Sequence, residues 1–149
     1  MNAQRFYRIF QSEAGIAPLL LRLPLGIILS AHGAQKLFGW FGGYGLESTG
    51  QWMESIGFVP GFLMALLAGS AEFFGGLALV LGILTRPAAL VAAFTMLMAM
   101  TVHINNGLFV QNNGYEFALI LLAVTIYLAV IGAGRISVDW LISVKLRKA

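Results

Sequence analysis

The 149-residue sequence has no cysteine, which removes disulfides, thiol redox motifs, thiolate-bound iron–sulfur clusters and Cys-based zinc sites. Any redox role therefore has to run on something other than sulfur exchange. Charge is scarce too: 10% of residues are Asp, Glu, Lys or Arg, against roughly a quarter in soluble domains. No glycine-rich phosphate cradle follows a strand pattern, so nucleotide chemistry has no foothold. No internal stretch is polar enough to form a separate soluble domain or a linker, and residues 1–149 read as one unit.

What the chain has instead is apolar length. Hydrophobic residues make up 59% of it and the mean hydropathy is +0.86, which places it in a membrane. A spanning helix needs about 20 mostly apolar residues. Residues 17–38, 59–84, 86–104 and 115–134 meet that tolerance, so the expected fold is all-α, a four-helix bundle integral to the membrane. The second and third segments meet at Thr85-Arg86-Pro87, where proline suits the first turn of a new helix and the brief link requires an antiparallel hairpin. Arg5 and Arg8 ahead of an apolar run imitate a signal peptide, but the run is longer than a signal h-region and reads as a first membrane helix.

Arg5, Arg8, Arg86, Arg135, Lys145, Arg147 and Lys148 all fall on one side of a four-span arrangement. By the positive-inside rule that side, with both termini, is cytoplasmic. A basic margin of this kind reports orientation and anionic lipid rather than nucleic acid. The loop 39–58 is rich in glycine and aromatics. Trp40, Tyr44 and Trp52 read either as headgroup-level anchors or as part of a lid over an outward-facing cavity. The tail VDWLISVKLRKA reads as an amphipathic helix along the inner surface with no catalytic part.

The polar residues inside the spans carry the functional question. At about 100° per residue, Arg22, His32 and Lys36 fall within roughly 80° on the first helix, a face that should look into the bundle rather than toward lipid. In the second, Glu72 lies near the midplane, flanked by Ala65, Ala68, Gly69 and Gly76, small residues that permit close helix approach. Met96, Met100 and His103 form a stripe on the third, and Tyr115 and Glu116 open the fourth. Glu72 with Arg22, and Glu116 with Lys36, are the expected ion pairs.

These groups read in two ways. As internal glue they fix helix register and do no chemistry. As a site they combine histidines, carboxylates and fixed cations, which together suit binding a polar headgroup and moving protons. Met96, Met100 and His103 could also offer soft ligands to copper, and haem stays open. An ion or solute path would require an oligomer, since four short helices leave little room for a pore.

The ordered set of Arg22, GAQK (33–36), GSAEFFGG (69–76), Gly82, Thr85, residues 113–116 and GAGRISVD (132–139) resembles the DoxX family of small four-helix membrane proteins, over nearly the whole chain. The resemblance implies a bacterial inner-membrane protein associated with redox chemistry, quinones and oxidative stress. Joined to the residues, it gives a quinone- or phenol-binding subunit. Glu72, His32 and Glu116 are the candidate catalytic groups, and Arg22, Lys36, His103, Asn113 and Trp40 the candidate ligand-binding groups. Electrons would come from a soluble redox partner or bound cofactor. The competing readings are a non-enzymatic scaffold for soluble redox partners and a small-solute transporter acting as an oligomer.

Overall fold

The computed structural model describes residue 10 and residues 14–148, with side chains to residue 146. Arg5 and Arg8, and the side chains of Arg147 and Lys148, lie outside the described residues. The described residues form helices joined by short turns: α1 (Ala17–Phe38), α2 (Gly45–Ser55), α3 (Gly61–Leu81), α4 (Thr85–His103), α5 (Glu116–Ile131) and α6 (Val138–Lys148). Three are long and apolar enough to cross a membrane: α1, α3, and α4 continued to Asn106. The protein is all-α and multi-spanning. Helix α5 is apolar but has 16 residues, about 24 Å at 1.5 Å per residue.

Each boundary has a local cause. Helix α1 stops at Gly39, which takes the left-handed conformation (φ 70°) that glycine adopts without a Cβ penalty. The link between α3 and α4 is tight because Gly82 (φ 65°) and Leu84 (φ 48°) are both left-handed. The loop expected over 39–58 is mostly helix: α2 starts at Gly45, carries Glu47 in its first turn, and packs against α3.

Helices α1 and α3 pack most closely, along a seam of glycines. A Cβ on Gly33 would overlap the Phe73 backbone nitrogen and sit 2.7 Å from Gly69 O; one on Gly26 would sit 2.7 Å from Gly76 O. The two backbones therefore touch. In lipid, where apolar burial gives helices little reason to associate, such contact supplies the packing that holds them. Leu25, Leu29, Leu79, Ala89, Ala92, Met96, Leu121 and Leu128 fill the core behind the seam.

At the α6 end a polar node ties four helices. Arg22 donates from Nη1 to Leu79 O and Val80 O, both at 2.7 Å, and from Nη2 to Ile136 O at 2.6 Å. Asp139 accepts from Leu84 N at 2.7 Å and Thr85 N at 2.9 Å, capping the start of α4 where donors lack helical partners and the dipole favours an anion. Both side chains are 1% exposed. Gly82 sits against them: a Cβ there would lie 2.6 Å from Arg22 Nη1. Nearby, Arg86 donates to the terminal carbonyls of α5 at Ala129 and Val130.

Candidate functional site

Glycine packing decides which charges meet. The helices run antiparallel, Lys36 lies against Gly69, its Cβ 3.2 Å from where a Cβ on Gly69 would stand, and Glu72 is one turn further along α3. Lys36 Nζ therefore lands 2.6 Å from Glu72 Oε2. This corrects both expected pairs. Arg22 is four turns away from Lys36 along α1 and spends its donors on backbone carbonyls, while Glu116 accepts from Val110 N at 2.6 Å.

The pair stands in the wall of a cavity of about 930 Å³. Helices α3 and α4 meet at their shared turn and leave a wedge between them toward the α2 end. One wall carries Met64, Leu67, Ala68 and Ala71; the other carries Val91, Phe94, Met98 and Val102; Trp52 and Met53 of α2, with Ile56 just past its end, close the top. Leu67, Leu90 and Phe94 are 55%, 61% and 64% exposed. On spanning helices such exposure faces hydrocarbon, so the wedge opens sideways into the bilayer.

The polar inventory of the cavity is short. Besides Lys36 and Glu72 it includes His103, Thr95, Ser70 and the Trp52 indole. Among the described residues Glu72 has one hydrogen-bond partner, Lys36 through Oε2; the carboxylate is 6% exposed and lines the cavity. The Thr95 hydroxyl donates to Ala92 O at 2.8 Å. His103 Nδ1 lies 2.8 Å from Asn113 O. A carbonyl can only accept, so that nitrogen carries the proton and a neutral ring leaves Nε2 as an acceptor.

Of the sequence candidates, the structure brings Lys36, Glu72 and His103 into this cavity and leaves the rest elsewhere. His32 is exposed, its ring 6.2 Å from that of Phe117, although it remains within electrostatic range of Lys36 and Glu72. The seam through Gly26, Leu29 and Gly33 explains it: His32 is turned about 80° from Arg22, past the contact edge. Asn113 braces the turn between α4 and α5 by accepting from Asn106 Nδ2 at 3.1 Å as well as from His103. Trp40 stacks with Phe38, centroids 4.9 Å apart. Arg22 belongs to the node at the other end.

Met96, Met100 and His103 share α4, but Met96 is buried in the core while His103 lines the cavity. Among the described residues no three His, Asp or Glu side chains cluster for an ion. Sequence reading missed the cavity wall on α4 and the ceiling from α2. The spacing of Trp52 and Ile56 by four, with Met53 beside them, was a helical signal inside what read as a loop.

The family profile described as DoxX matches residues 17–104. The chain is 35% identical over 137 residues to the inner membrane protein YqjF of Escherichia coli, covering 87% of this chain and 95% of that one. It is 34% identical over 124 residues to the protein of Bacillus subtilis named "Putative oxidoreductase CatD", covering 83% of this chain and 85% of the relative. An uncharacterised protein of Haemophilus influenzae is 29% identical over 134 residues, covering 87% and 85%. No solved structure matches the chain.

Proposed function

This chain belongs to the DoxX family and is a multi-pass protein of the bacterial inner membrane, and from that premise we propose that it binds a quinone-like or phenolic molecule as one subunit of a membrane redox system. The observation that carries the reading is the Lys36–Glu72 pair at 2.6 Å in the wall of an otherwise apolar cavity of about 930 Å³. Charge inside a membrane is expensive and tends to mark function. Glue would be sealed by side chains, whereas this pair lines a space large enough for an aromatic head and the start of its tail.

In this reading an aromatic head enters sideways between α3 and α4 and stacks among Phe94, Trp52 and Met98. Lys36 Nζ donates to its oxygen. Glu72 and His103 are the groups able to take or return the proton that accompanies reduction or oxidation. His32 and Glu116 are given no step. Electrons come from a partner protein or bound cofactor, in keeping with the redox name carried by the Bacillus relative. The accompanying topology is four spans with α5 the shortest and both termini cytoplasmic, supported by Arg86, Arg135 and Lys145 gathering at the α6 end.

The test is binding of decylubiquinone to the purified protein in nanodiscs. Ala71→Phe, which fills the cavity, and Lys36→Met, which removes the donor, should each weaken binding about tenfold or more while the protein still folds. Undiminished binding in the Ala71→Phe variant would sink the reading and return weight to the scaffold alternative.

A further inference from the structure

Hydrogen-bond donors and acceptors are unevenly supplied in the cavity, and the imbalance concerns the oxidation state of the ligand. Resting on the quinone-like reading above, we infer that the site selects the reduced, hydroxyl-bearing form of its aromatic ligand over the oxidised form. As half of an ion pair Glu72 is an acceptor-only carboxylate. Lys36 occupies Oε2, and Oε1 accepts no hydrogen bond among the described residues and belongs to a side chain that lines the cavity. Thr95 has committed its proton to Ala92 O, so it presents lone pairs. His103 has committed Nδ1 to Asn113 O, so in the neutral form of the ring Nε2 is a lone pair.

Three of the cavity's polar groups therefore ask for a hydrogen. Lys36, with two N–H groups beyond the one aimed at Glu72, and the Trp52 indole supply donors. A hydroquinone oxygen answers both kinds: it accepts from Lys36 and donates its own proton to the Glu72 carboxylate beside it. A quinone carbonyl only accepts. It satisfies Lys36 and leaves the Glu72 acceptor facing an apolar space from which the ligand has displaced any water. A buried acceptor left unmatched is what lets a protein discriminate between a hydroxyl and its absence. Ser70, free to rotate, fits either form and contributes nothing to the choice.

The experiment compares decylubiquinol, kept reduced under anaerobic conditions, with decylubiquinone on the same nanodisc preparation. Wild-type protein should bind the quinol tighter by about tenfold or more. In Glu72→Gln the amide offers a donor as well as an acceptor, so both forms should bind and the ratio should fall toward one. Equal binding, or tighter quinone binding, by the wild type overturns the selectivity while the cavity reading stands. A ratio unchanged in Glu72→Gln overturns the assignment to Glu72. Failure of both ligands to bind overturns this inference together with the proposed function.

Discussion

Two buried charged groupings, at opposite ends of the same helices, are built on opposite plans. Around Arg22 and Asp139 the charges are 1% exposed and face backbone: carbonyls of Leu79, Val80 and Ile136 for one, amides of Leu84 and Thr85 for the other. Around Lys36 and Glu72 each charge faces the other and an open space. Backbone partners are covalently fixed, so the first grouping stitches α1, α3, α4 and α6 into one arrangement. A pair with spare hydrogen-bonding capacity is held only by its own attraction and remains available to something else.

The largest expected effect lies at the node. Asp139→Ala strips two helix-start amides of their acceptor and leaves Arg22 without its neighbouring anion, a loss of about 3 kcal/mol. A thermal melt in detergent should show a large fall in midpoint, and a melt like that of the parent would erase the contrast between the two groupings. Next comes the seam. Gly33→Leu has no room between α1 and α3 and should cost about 1–3 kcal/mol, read by the same melt, with quinol binding weakened because Lys36 is carried away from Glu72. Smallest is the double variant Lys36→Met with Glu72→Met. Replacing both charges by apolar chains of similar size should leave stability within about 1 kcal/mol of the parent or raise it, while quinol binding disappears. A double variant that fails to fold would make the pair structural after all.

Much of this was legible from the residues, and the failures are informative. The first span ends where expected because Gly39 is both the composition break and the left-handed stop. The second was expected over 59–84 and is helical over Gly61–Leu81; Ile83 and Leu84 extend the apolar run but not the helix, since Gly82 and Leu84 have already turned the chain. Glu72 stood out as a lone acid in an apolar run. Its partner did not, because pairing across helices depends on their register, and register is written in where the glycines sit rather than in the charges. Gly69 lets α1 lie close enough for Lys36 to sit beside it, one turn from Glu72, and that approach accounts for the observed contact once the seam is known. Asp139 was placed in a tail with no assigned role, since a single acid at the start of an amphipathic stretch gives no hint that it caps a helix over fifty residues earlier.

The sideways mouth of the wedge has a consequence for how the site is filled. With Leu67, Leu90 and Phe94 exposed at its mouth, the proposed site would be filled according to the concentration of the ligand dissolved in the lipid leaflet. Partitioning into the bilayer is then the first selection step, favouring molecules with apolar tails, each buried CH₂ contributing roughly 0.8 kcal/mol. A site of modest intrinsic affinity can stay full at trace aqueous levels, and a water-soluble analogue of identical head group can fail to compete without making a single worse contact.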